Sequence, residues 1–134
     1  MANLKMIEGI GDAHSAKLAE AGLTSTDHLL EQGATKKGRE AIAAKTGIAE
    51  ASILTWVNHC DLYRLDGAGE EYIDLLEAAG VDSVPELAAR NADNLHAKLA
   101  EVNAVKNRVR QLPTLDRVNQ WVEQAKTLPR VVSH

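Results

Sequence analysis

Lys36-Lys37-Gly38-Arg39 places three cations where a helix is expected to begin, and such a cluster could grip a phosphate. The same charges would serve equally as a solvated first turn. Lys106, Arg108 and Arg110 alternate in a second basic run. On a helix Lys106 and Arg110 would share a face, being four apart. This run is the best electrostatic footprint for a polyanion in the chain, beside the plainer reading of exposed charge. The five histidines, His14, His28, His59, His96 and His134, show no pair at ligand spacing on one helix, so no metal site is expected. Glu70 with Asp74, and Asp74 with Glu77, pair carboxylates on a helix surface without a pocket that would tune them for proton transfer. There is no Ser-His-Asp order, phosphate loop or dinucleotide fingerprint. A non-enzymatic protein with no small-molecule substrate is expected.

Composition bounds the rest. The 134 residues allow one compact domain or two small fused ones. Net charge is −4, which argues against coating nucleic acid by bulk charge. The charge is uneven: residues 1–97 carry 8 Lys+Arg against 16 Asp+Glu, and residues 98–134 carry 7 against 3. Cys60 is the single cysteine, so no internal disulfide and no cysteine metal site can form. It reads as a small core residue. No apolar stretch is long enough to cross a membrane, and a reducing cytoplasm is the expected compartment.

The elements that must hold these residues are short helices. One runs from about Asp12 to Ala21 and stops at Gly22, a helix-ending glycine. Thr24 or Ser25 caps the next, which points Leu29 and Leu30 inward and ends at Gly33. Thr35 caps a helix carrying Ala41, Ile42 and Ala44, which Gly47 stops and Gly38 weakens. A longer helix from about Glu50 to Tyr63 sets Ile53, Trp56, Val57 and Cys60 on one face. The pattern then returns. A helix ends at Gly80, and Ser83-Val84-Pro85-Glu86 is a capping box leading to Leu87 and Ala88. Asn91 or Asp93 caps a helix near Leu95–Val102. Ala104–Gln111 reads as helical up to a break at Pro113. Thr114 caps the last helix, with Leu115, Val118, Trp121, Val122 and Ala125 inward. Pro129–His134 reads as a loose tail.

The return is an internal duplication. Gly9, Gly11, Leu18, Gly22 and Leu29 match Gly67, Gly69, Leu76, Gly80 and Leu87 at an offset of 58 residues. Ile53, Trp56, Val57 and Cys60 match Val118, Trp121, Val122 and Ala125 at an offset of 65. The second copy therefore holds about seven extra residues, expected around 104–113. Equivalent positions make both tryptophans core anchors rather than a stacking platform. The expected fold is all-α, about nine short helices in two pseudo-symmetric repeats, 1–64 and 65–128, with a tail over 129–134.

Ile7-x-Gly9-Ile10-Gly11, then Leu18 and Ala21-Gly22-Leu23, resembles the helix-hairpin-helix motif, and both copies together cover nearly the whole chain. Gly33-Ala34-Thr35-Lys36-Lys37-Gly38-Arg39, Trp56-Val57-Asn58-His59, Leu76-Glu77-Ala78-Ala79-Gly80-Val81 and Asn94-Leu95-His96-Ala97-Lys98-Leu99 are similar to the family grouped as domain of unknown function 4332, which brings no activity with it. The hairpin resemblance implies a mechanism. Glycines let the backbone approach a phosphate, and amides at the following helix start point at its oxygens, whatever the base sequence. Carried over, it names Gly9, Ile10, Gly11 and the amide of Ala13, with Lys17 nearby, and Gly67, Ala68 and Gly69 in the second hairpin. It also allows a monovalent cation in the hairpin.

The chain departs from the DNA-binding form of the motif. Such hairpins often carry proline before the first glycine and a cation after the second. Here those places hold Glu8 and Ala13, and Asp66 and Glu71. Carboxylates repel a phosphate, so the second hairpin is expected to be structural. His14 could help the first below neutral pH. The expectation is a binding module that touches nucleic-acid backbone, DNA rather than RNA, through hairpin one, Lys36, Lys37, Lys106, Arg108 and Arg110. The alternative is a protein–protein scaffold whose hairpins only turn the chain.

Overall fold

The computed structural model describes residues 4, 7, 9–65, 67–129 and 131–133, and Glu70 by its backbone alone. Among these the fold is all-helical and divides into two units, residues 1–61 with 131–134 and residues 62–130. The division falls after Asp61, so the last residue of the helix that crosses it, Leu62, belongs to the second unit.

The first unit contains α1 (Asp12–Glu20), α2 (Thr26–Gly33), α3 (Lys36–Thr46) and α4 (Glu50–Leu62). Both α1 and α2 pack on α3. Leu4, Ile7, Leu18, Leu29, Ile53 and Val57 are almost wholly buried. The sequence of residues 3–8 reads as a short helical turn; it is described only at Leu4 and Ile7, where the Ile7 N–H donates to the Leu4 carbonyl at 3.1 Å. Its other residues, Glu8 included, lie outside the described residues, as do Asp66 and His134. Of the inward positions expected on α3, Ile42 is buried while Ala41 and Ala44 are exposed.

The second unit contains α5 (Glu70–Ala78), α6 (Val84–Ala88), α7 (Ala92–Lys106) and α8 (Leu115–Thr127). Both α6 and α7 pack on α8, and α5 packs on α7. Leu76, Leu87, Leu95, Val118 and Trp121 lie in one core cluster. Leu115, expected in that core, is 43% exposed at the first position of α8.

Local chemistry sets the helix ends. Ser25, Thr35, Ser83, Asn91 and Thr114 each accept a hydrogen bond from the N–H three residues on. Each such cap contributes about 1 kcal/mol. Glu86 reaches back to the Asp82 N–H at 3.2 Å, one residue beyond the expected reciprocal partner, Ser83. At the other ends, Gly22 and Gly80 have φ of +85° and +94°. Leu23 N–H donates to Leu18 O, and Val81 N–H to Leu76 O, both at 2.9 Å. This closes the helix by a left-handed glycine with an apolar pair across it, Leu18 with Leu23 and Leu76 with Val81.

Several expectations are corrected. The described residues hold eight helices rather than nine, because α7 runs through from Ala92 to Lys106. Asn107, at φ +51°, ends it in the left-handed conformation, so residues 107–111 are not helical. The extra residues of the second unit are therefore spread out: α7 has 15 residues where α3 has 11, and residues 107–114 stand where 47–49 suffice in the first unit. Gly33 ends α2, as expected. It is the last helical residue, and a Cβ there would press on Val57. The expected loose tail is docked: Val132 is 2% exposed, and Ser133 N–H donates to Ala34 O at 2.8 Å.

Candidate functional site

Each hairpin is built by two glycines with different duties. Gly9 and Gly67 sit at φ +93° and +78°, where a side chain is strained. Gly9 also faces Trp56, whose Nε1 would lie 3.2 Å from an added Cβ. Gly11 and Gly69 are different. Their φ values of −86° and −77° suit any residue, and a Cβ on either would meet nothing within 4 Å. Both are N-cap residues, and neither helix start has a side-chain cap.

The amides that follow are consequently bare. In α1 the first bond from a helical N–H is Ser15 to Gly11 O, at 2.9 Å. In α5 it is Ile73 to Gly69 O, at 3.0 Å. The N–H groups of Ala13 and His14, and of Glu71 and Tyr72, have no acceptor among the described residues. Ile10 and Ala68, between the glycines, are buried and anchor each turn. Gly9, Gly11, Ala13, Gly67 and Gly69 are exposed. The arrangement can accept an anion's oxygens on main-chain donors at the positive end of a helix dipole.

A ring pair underlies each turn. His14 packs on Trp56 with centroids 5.1 Å apart and planes at 52°. Tyr72 packs on Trp121 at 5.4 Å and 53°. The His14 Nδ1 also lies 3.3 Å from Gly9 O. Sequence reasoning missed these partners, although His14 and Tyr72 are 58 residues apart and so occupy matched positions. Both tryptophans are core residues, 5% and 2% exposed, as expected.

No cation lies in the first turn of α1. Lys17 is exposed in the last turn of α1, about 7.5 Å along the axis from Asp12. The first turn carries the carboxylate of Asp12, which itself favours the helix dipole. Glu71 is exposed in the first turn of α5. Lys36 and Lys37 are exposed at the start of α3. Arg39 is not available to grip a phosphate. It is 2% exposed and donates to the carbonyls of Gly33 at 2.8 Å, Ala34 at 3.2 Å and Ser133 at 2.7 Å. Gly38 is there for space, because a Cβ would collide with the Gln32 carbonyl.

Lys106, Arg108 and Arg110 belong to the second unit and are exposed. The shared helix face expected of Lys106 and Arg110 does not exist. Lys106 is the last residue of α7 and Arg110 lies in the link beyond Asn107. Cys60 is buried, and that burial, with the charges of Asp27 and Asp61 adding, pushes its thiol well above the ordinary range. It stays protonated and inert, as a core residue should.

A family model described as Domain of unknown function (DUF4332) matches residues 8–128. No curated protein and no solved structure matches the chain.

Proposed function

The chain belongs to that family, and on this premise we propose that it is a non-enzymatic helix-hairpin-helix module of the cytoplasm that contacts nucleic-acid backbone through the amides of its first hairpin. The carrying observation is Gly11. Nothing in the fold requires glycine there: its φ is ordinary and a side chain has room. A Ser, Thr or Asn would cap α1, as one caps α2, α3, α6, α7 and α8. Glycine instead leaves the Ala13 and His14 amides open to an approaching phosphate. Such contact reads no bases. DNA duplex is the preferred form, and Lys36 and Lys37 assist from the same unit.

The test is a titration of duplex and single-stranded DNA and RNA at two salt concentrations. Gly11→Ser supplies an internal cap that competes for the same amides, so it should abolish binding without unfolding the protein. Asp12→Asn removes a repelling charge and should strengthen binding. Unchanged affinity in Gly11→Ser would remove the amides from consideration.

A second function, as a protein-binding scaffold, is favoured by the charges. Asp12 and Glu71 crowd the amides, and Lys17 lies at the far end of its helix. Absence of nucleic-acid binding at low salt would leave this function standing, with the hairpins as turns only.

A further inference from the structure

The link between α7 and α8 is pinned in place. The Asn103 side chain holds both main-chain groups of Val109. Val109 N–H donates to Asn103 Oδ1 at 2.9 Å, and Asn103 Nδ2 donates to Val109 O at 3.1 Å. Tyr72 Oη donates to Gln111 O at 3.3 Å, and His96 Nε2–H donates to Pro113 O at 3.1 Å. Val109 and Pro113 are buried, while Arg108, Arg110 and Leu112 are exposed. Arg117 lies 5.8 Å from the centre of the Tyr72 ring, so a third guanidinium stands by the same anchor.

What this link displays is mixed. No acidic residue occurs from Val102 to Leu115. Val105, Leu112 and Leu115 are 82%, 37% and 43% exposed, three of the four large exposed apolar side chains among the described residues. A solvated loop needs neither the anchors nor the apolar side chains. Loops of this length are ordinarily mobile.

We infer that residues 105–115 form a preformed docking surface for an acidic peptide segment of a partner protein, one that carries apolar side chains beside its carboxylates. Guanidinium forks match carboxylates in geometry and charge. The exposed Leu112 side chain supplies a contact that a phosphate backbone would leave unused. The surface has no exposed aromatic on which a base could stack. Holding the loop beforehand removes the cost of ordering it on binding. The assignment does not depend on the hairpins.

The experiment is an anisotropy titration of the full chain with a short labelled peptide of repeated Glu-Glu-Leu. Its Leu→Ser and Glu→Gln forms, a DNA duplex and anionic lipid vesicles are compared under the same conditions. The Glu-Glu-Leu peptide should bind about tenfold or more tightly than either altered peptide. Arg108→Glu with Arg110→Glu should lose at least about tenfold, and Leu112→Ser about threefold. Asn103→Ala and Tyr72→Phe leave every guanidinium present but untie the link, and both should weaken binding. Equal binding of the Leu→Ser peptide, or tighter binding of duplex or vesicles, would overturn the inference. So would unchanged affinity in the double charge reversal or in both untied variants, or no binding of the peptide at low salt.

Discussion

The two units close their first helices in the same way and hand the chain from third helix to fourth in different ways. Gly22 and Gly80, the Leu18–Leu23 and Leu76–Val81 closures, and the His14–Trp56 and Tyr72–Trp121 ring pairs agree to within a few tenths of an ångström and about 10°. Residues 47–49 and 107–114 do not agree at all. The first link is held simply, with Ile48 N–H on Thr46 Oγ1 and Ile48 buried. The second is anchored at Val109, Gln111 and Pro113 and turns cations outward. The glycine turn and its ring pair thus occur in both units, and the largest structural difference lies in one link.

The largest test of the likeness concerns the rings. Trp56→Ala and Trp121→Ala should each destabilise by about 3–5 kcal/mol in urea denaturation, if both fill equivalent core sites. A mild loss at one and a severe loss at the other would break the comparison. Arg39 is buried in the first unit, and no arginine of the second unit is buried among the described residues, so it sharpens the contrast. Arg39→Ala strands the carbonyls of Gly33, Ala34 and Ser133 and should cost about 2–3 kcal/mol. A melting temperature equal to wild type would show those bonds to be worth little.

Smaller effects are expected at the glycines. Gly22→Val and Gly80→Val should each cost about 1–2 kcal/mol, because a β-branched residue fits positive φ poorly. The two values should be close. The least change is expected from Gly11→Ser and Gly69→Ser, which fit the space and should shift stability by only a few tenths of a kcal/mol, upward. If Gly11→Ser alone loses phosphate affinity, the hairpins differ in function. If both lose it, the acidic second hairpin also binds.

Much of the fold was legible because its signals are local. Ser25, Thr35, Ser83, Asn91 and Thr114 cap their own helices, and a cap is a matter of three residues. Gly22, Gly47 and Gly80 end helices by their own φ. The offset of 58 made the hairpins visible. What failed was decided by side-chain bonds outside the regular helix pattern, one of them at long range. Lys106-Asn107-Arg108-Val109-Arg110 has ordinary helix propensity, and the Asn103 side chain holding Val109 from six residues back overrides it. Arg39 looked like part of a basic cluster until the carbonyl of Ser133, 94 residues away, came to meet it. The candidate site was legible in its glycines. Its cations were legible only in part: a helix starting at Asp12 already sets Lys17 five residues from the turn, whereas the burial of Arg39 depends on a distant carbonyl.

The docked stretch near Val132 makes the first unit discontinuous in sequence. Its remaining part ends about seventy residues earlier, at Asp61. During synthesis at roughly 5–20 residues per second, the first unit must wait several seconds for Val132 and Ser133. Until then the Arg39 guanidinium lacks one of its three carbonyls, and the apolar place that Val132 fills stays open. The second unit is one uninterrupted stretch and has no such delay, so the part of the molecule that begins first is the part completed last.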